Sequence, residues 1–113
     1  MTEIQWASSS CTLPTVERPL REREFGALFQ TALLSVRTET PERAELTLAL
    51  ESEQTARALA AKETSCCSFF EFTFTKTADA LLMTVVVPPP HTKVLAALVA
   101  SAARDAGLEV ATA

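Results

Sequence analysis

Apolar residues recur along the chain in two different periods, and the changes of period separate helices from strands. From Leu20 to Val36, apolar residues return every three or four positions, which predicts an amphipathic helix. Residues 44–50 alternate apolar and polar side chains, as in a half-buried strand. A second helix is predicted from Ser52 to about Ser65, because Ala56, Leu59 and Ala60 fall on one helical face.

The second half of the chain predicts a β-hairpin followed by a helix. Phe70, Phe72 and Phe74 alternate with polar residues, which predicts a strand with its aromatic face in the core. Residues 77–80 predict a turn, and residues 81–87 the return strand, which three prolines then stop. A last helix is predicted from Thr92 to Ala106, with Gly107 well suited to end it.

These elements predict one α+β domain over residues 1–113, built as a two-layer sandwich. The strand–helix–strand unit predicts a right-handed βαβ crossover between parallel strands. Together with the β-hairpin it forms a small mixed sheet, covered on one face by about three helices. Residues 1–19 show only a short alternation around Ile4 and Trp6, so we expect a loosely structured N-terminal segment that carries Cys11. No internal repeat is visible in the sequence.

Charge and hydropathy argue against several classes of function. The net charge is −4, and phosphate binding requires clustered Lys and Arg, so we expect no nucleic-acid partner. No stretch approaches the roughly 20 apolar residues of a membrane span. Residues 1–10 lack the basic start and apolar core of a signal peptide. A cytoplasmic location, where thiols stay reduced, is therefore expected.

Three cysteines are the chemically distinctive residues of this chain: Cys11, Cys66 and Cys67. An odd number cannot be used up by intrachain disulfides, so free thiols are expected. Thiolates favour soft ions such as Hg(II) and Cu(I) and, by the same argument, As(III). Three thiolates suit a three-coordinate Hg(II) or As(III), whereas tetrahedral Zn(II) fits the spacing less well. The first hypothesis is a three-cysteine site that binds a soft metal or metalloid.

Two other hypotheses remain open for the cysteines. Cys66 or Cys67 could be the nucleophile of an enzyme that cleaves organometallic compounds or performs redox chemistry, which requires a thiol of low pKa. The end of a helix carries a partial negative charge, which opposes that requirement. Alternatively, all three cysteines are small buried side chains of a structural or interaction module, since free cysteine is often buried.

Two further residues are candidates for the surroundings of the thiols. Glu63 precedes Cys66 by three positions and Cys67 by four, so a continuous helix would place it on their face. It is either a residue that supports the metal-binding thiols from behind by hydrogen bonding, or a solvated helix residue. His91, the single histidine, follows three prolines and is either an exposed loop residue or a second-shell group.

Cys11-Thr12-Leu13 and the later Glu63-x-x-Cys66-Cys67-x-Phe69-Phe70 resemble the motifs of a family of small bacterial proteins. The resemblance extends over most of the chain, although Ser68 stands where proline is common in that family. It implies three thiols that act together, alongside mercury- or arsenic-resistance proteins. The expected function is sequestration or hand-over of the metal, with a metal-resistance protein as a partner. A homodimer formed through the edge of the Phe-rich strand also remains open.

Overall fold

A computed structural model of the chain describes residues 18–66 and 70–112, and the side chains of residues 23–64 and 70–111. Cys11 and the expected alternation around Ile4 and Trp6 lie outside the described residues. None of the described helices combines the length and the apolar character needed to cross a bilayer.

The described chain contains three α-helices and five strands. Short 3-10 turns at Leu50–Ser52 and Pro89–His91 precede the second and third helices. In chain order the elements are α1 (Arg18–Ala32), β1 (Leu33–Thr40), β2 (Arg43–Ala49), α2 (Glu53–Cys66), β3 (Glu71–Lys76), β4 (Ala80–Val86), α3 (Thr92–Ala106) and β5 (Ala111–Thr112).

The strands form one mixed sheet in the order β3-β4-β2-β1-β5. β4 is antiparallel to both of its neighbours, β2 and β3, so β2 and β3 run parallel with β4 between them. The α2 crossover therefore joins parallel strands that are not adjacent. At the other edge, the two-residue β5 pairs parallel to β1. The predicted α+β fold with a βαβ unit and a β-hairpin is confirmed.

The first predicted helix ends earlier than its apolar pattern suggests. α1 stops at Ala32, and residues up to Val36 belong to strand β1, which the sequence analysis missed. Val36 is buried because it faces the core from β1 and not from a helix. The prediction of a helix to Val36 is therefore wrong, and the domain gains a hairpin between β1 and β2.

The helices cover one face of the sheet and enclose the core. In β2, Ala44, Leu46 and Leu48 are fully buried while the residues between them are partly exposed. α1 contacts both α2 and α3, so the three helices form one layer. α3 ends at Gly107, whose φ of 70° is the left-handed conformation that glycine adopts without strain.

The topology contains two consecutive ββα units that the sequence does not reveal. β1–β2–α2 is the first unit and β3–β4–α3 is the second. Their second strands, β2 and β4, lie side by side at the centre of the sheet, and their first strands lie outside them. The two halves are thus related by an approximate two-fold arrangement.

Candidate functional site

One end of the sheet collects the segments that carry the predicted site residues. There β3 begins, β4 ends and β2 begins, because Glu71 and Arg43 both pair with Val86. We call it the cysteine end, because α2 finishes at Cys66, only four positions before Phe70. Four residues span at most roughly 14 Å, so Cys66 lies close to this end. Cys67 lies outside the described residues.

Glu63 occupies the core-facing side of α2. Ala56, Leu59, Ala60 and Glu63 are all buried, and their spacing is that of a single helical stripe. Glu63 is only 1 % exposed, although it is a carboxylate. The alternative that it is a solvated helix residue is therefore wrong. Glu63 stands three positions before Cys66, the last residue of α2.

The first half of α1 lies against the elements that form the cysteine end. Glu24 of α1 forms an ion pair with Lys62 of α2 at 3.6 Å. Phe25 stacks on Phe72 of β3, with ring centroids 6.4 Å apart. α1 also runs directly into β1 at Leu33, so it must end where β1 begins, at the opposite end of the sheet. The start of α1, seven positions after Cys11 in the chain, therefore lies toward the cysteine end.

Four phenylalanines form a cluster beside this end of the sheet. Phe25 contacts Phe29 and Phe72, and Phe72 contacts Phe70, with centroid distances between 5.6 and 6.4 Å. The prediction that Phe70, Phe72 and Phe74 face the core is confirmed, since all three pack into it while Glu71, Thr73 and Thr75 are exposed. Sequence reasoning missed that Phe25 completes the cluster, because only the α1 contacts bring it to β3.

His91 also lies at the cysteine end, in the connection that follows β4. It is the last residue of the Pro89–His91 turn and directly precedes α3. Its backbone N–H donates to the Pro88 carbonyl at 2.9 Å. The residue is half-buried and not fully exposed. A role for His91 near the thiols stays a prediction.

At the opposite end of the sheet, an ionic cluster joins the start of α2 to the end of β3. Glu53 accepts a hydrogen bond from Arg57 at 2.8 Å and pairs with Lys76 at 3.1 Å. Hydrogen bonds from these two partners hold the pKa of the Glu53 carboxyl below its usual value, and the bond from Arg57 has the larger effect. Arg57 also lies over the Phe74 ring, 4.8 Å from its centroid. The cluster fixes α2 on the Phe-rich strand.

Replacing Glu53 with glutamine should remove a small, pH-dependent part of this stabilisation. A carboxylate with a lowered pKa in the folded state stabilises the fold above its unfolded pKa, and this contribution disappears as the pH falls through the folded value. The midpoint temperatures of thermal unfolding of the parent and of Glu53→Gln should therefore differ at neutral pH and become equal in strong acid. Equal differences at both extremes would contradict the assignment.

Within the described side chains, no three His, Cys, Asp or Glu residues cluster as the ligands of a metal ion would. The side chains of Cys11, Cys66 and Cys67 lie outside this part of the chain. The structure describes the elements that flank them along the chain: α1 after Cys11, the end of α2 at Cys66, and β3 after Cys67.

We compared the chain with known protein families, curated proteins and solved structures. No protein-family model matches the chain, and no curated protein or solved structure matches it significantly.

Proposed function

We propose that this protein binds a soft, thiophilic metal or metalloid through Cys11, Cys66 and Cys67. The ion is Hg(II), As(III) or Cu(I), with Zn(II) less favoured, and the role is sequestration or hand-over in metal resistance. One observation supports the proposal: the first half of α1, which follows Cys11 in the chain, contacts α2 near its end at Cys66.

The chain between Cys11 and α1 is long enough for Cys11 to share a site with the other two thiols. It precedes the first residue of α1 by seven positions, and seven residues extend at most roughly 25 Å. The first half of α1 already contacts α2 through Glu24 and Lys62, and β3 through Phe25 and Phe72. These contacts of α1 and the length of the N-terminal segment support a site that includes both Cys11 and Cys66.

The surroundings of the cysteine end suit a thiolate–metal site. The Phe25–Phe29–Phe70–Phe72 cluster is mostly buried and makes this side of the site apolar, which strengthens electrostatic attraction between a cation and thiolates. Glu63 provides a buried carboxylate one turn before Cys66, and such a group can orient a metal ligand by hydrogen bonding to it. His91 is the other candidate for this supporting role.

Metal binding is favoured over thiol catalysis by the position of Cys66. The last turn of α2 contains no basic residue, and the end of a helix carries a partial negative charge. Both features oppose the low thiol pKa that a nucleophile requires. A metal ion supplies its own positive charge and drives deprotonation on binding.

The setting of the proposed function follows from the resemblance of the cysteine motifs. A cytoplasmic protein that works with metal-resistance proteins would receive the ion from one partner and pass it to another. β3 forms one edge of the sheet and, among the described strands, pairs only with β4. A second copy pairing along this edge would produce a homodimer.

Titration of the reduced protein with Hg(II), phenylarsenite, Cu(I) and Zn(II) tests the proposal. We expect thiolate–metal absorption to saturate near one equivalent of a soft ion, with all three thiols protected from alkylation together. Trp6, five positions from Cys11, provides a fluorescence signal for the N-terminal segment.

Serine variants separate the three thiols. Cys11→Ser should weaken binding and leave two thiols protected, whereas the triple variant Cys11→Ser/Cys66→Ser/Cys67→Ser should not bind. Soft-ion binding by the triple variant with parental affinity would refute the proposal. Protection of Cys66 and Cys67 alone in the parent would exclude Cys11 from the site.

A further inference from the structure

A second feature of the molecule is an open pocket of about 380 Å³ between α3 and the β1–β2 hairpin. Its volume lies within the range typical of small-ligand sites. Leu95 and Val99 form a buried apolar floor, while Ala96 and Ala100 are exposed one helical turn apart. Their small side chains leave the depression open. Pro41 of the hairpin turn completes an apolar wall.

The polar groups of the pocket are gathered on one side. Thr92 and Lys93 begin α3, and Thr38 lies in the facing strand β1. Among the described residues no Asp or Glu lines the pocket, although the whole chain contains 14 acidic residues. Lys93 is the one charged side chain in this described lining.

Lys93 also differs from most other cations of the described chain. Five of these form ion pairs with carboxylates: Arg37, Arg43, Arg57, Lys62 and Lys76. Within the described residues, Lys93 has no such carboxylate partner. It therefore presents an uncompensated positive charge beside an apolar surface.

We propose that this pocket binds a small amphipathic carboxylate, with its apolar body on Leu95, Val99 and Pro41 and its head at Lys93. The hydroxyl groups of Thr38 and Thr92 can donate hydrogen bonds to the carboxylate oxygens. Both parts of such a ligand find a complementary surface, because the apolar floor suits its hydrocarbon body and the cationic rim suits its carboxylate. None of the described lining residues is a cysteine, so the assignment of this ligand does not depend on the proposed metal site.

The test is an NMR titration of the full protein with three ligands that share a six-carbon alkyl group: hexanoate, hexanol and hexylamine. We expect hexanoate to cause saturable amide shifts at Thr38, Leu95, Ala96 and Val110. Hexanoate should bind with higher affinity than hexanol, and hexylamine should cause no saturable shifts. Equal affinity for hexanol and hexanoate would overturn the carboxylate assignment. Absence of saturable hexanoate shifts would overturn the site itself.

Variants locate the ligand within the pocket. Ala96→Phe should abolish hexanoate binding by filling the pocket, whereas Ala58→Phe, at an exposed position of α2, should not. Lys93→Gln should weaken binding about two- to fivefold, as expected for an exposed ion pair, and Lys93→Arg should retain it. Parental binding by Ala96→Phe would place the ligand elsewhere.

The same variants test whether another part of the protein fills the pocket. If Ala96→Phe converted a dimer of the parent to a monomer in sedimentation, the pocket would be a contact between two copies and the proposal would be wrong. Amide shifts at residues 1–17 on introducing Ala96→Phe, without any hexanoate binding by the parent, would assign the pocket to the N-terminal segment and overturn the proposal as well.

Discussion

Replacing Phe25 with alanine should lower the free energy of unfolding by about 3–5 kcal/mol. The Phe25 side chain is 1 % exposed and contacts two other rings, Phe29 at 5.8 Å and Phe72 at 6.4 Å. Removing the ring leaves a cavity where α1 meets β3, and the surrounding side chains are fixed by two different elements. Urea unfolding followed by circular dichroism measures the loss.

Leu34→Ala is the matched control, because Leu34 is 54 % exposed and its truncation leaves no cavity. Its expected effect is within about 0.5 kcal/mol. If Phe25→Ala cost no more than Leu34→Ala, α1 would not be anchored on the sheet through this ring. The proposal that Cys11 shares a site with Cys66 and Cys67 would then lose its support.

The second large effect is expected at Glu63. Glu63→Ala should cost about 2–5 kcal/mol, because it removes a buried side chain of the size of methionine and with it the polar interactions of the carboxylate. Glu63→Gln preserves the shape and should cost clearly less. Thr64→Ala, at the neighbouring exposed position, provides the control in the same urea experiment. A negligible loss in Glu63→Ala would contradict the burial of this carboxylate.

The same pair of variants separates a structural from a functional role. If Glu63 supports the thiolates, Glu63→Gln should lower the affinity for Hg(II) or phenylarsenite by about 10–100-fold, the usual effect of losing a second-shell partner. Unchanged affinity in a folded Glu63→Gln protein would restrict the residue to packing. The three-cysteine site itself is tested separately, by the serine variants.

Most of the second half of the fold could be predicted from the sequence. The alternation of Phe70, Phe72 and Phe74 survives in the structure because β3 pairs regularly with β4, without a shift of register. The limits of α3 were also predicted, since Gly107 ends it and the prolines precede it. In both cases local pattern and tertiary packing require the same conformation.

Strand β1 was not predictable, for two physical reasons. Its register shifts next to Leu34 and again next to Glu39, so buried residues do not fall on every second position. The buried residues Ala32 and Val36 also happen to be four apart, which continues the helical spacing of α1. Only pairing with β2 determines that the chain is extended here.

Of the candidate site residues, the structure describes the side chains of Glu63 and His91, and the three-cysteine site stays a prediction. Glu63 was singled out by its spacing from Cys66 along one helix. Its burial depends on α1 and on the sheet, which no local pattern reveals. The position of β4 between β2 and β3 likewise follows from the whole topology, because the sequence analysis specified only that β2 and β3 run parallel.

The central pairing of β2 with β4 has a consequence for how the chain folds. This pairing connects residues far apart in sequence: Ala49 with Ala80, 31 positions on, and Arg43 with Val86, 43 positions on. Such contacts form only after a costly loop closure, so folding should be slower than in a helical bundle of equal length. During synthesis, β2 would expose an unpaired edge until β4 leaves the ribosome. The partly synthesised chain is therefore the state in which incorrect strand pairing is most expected.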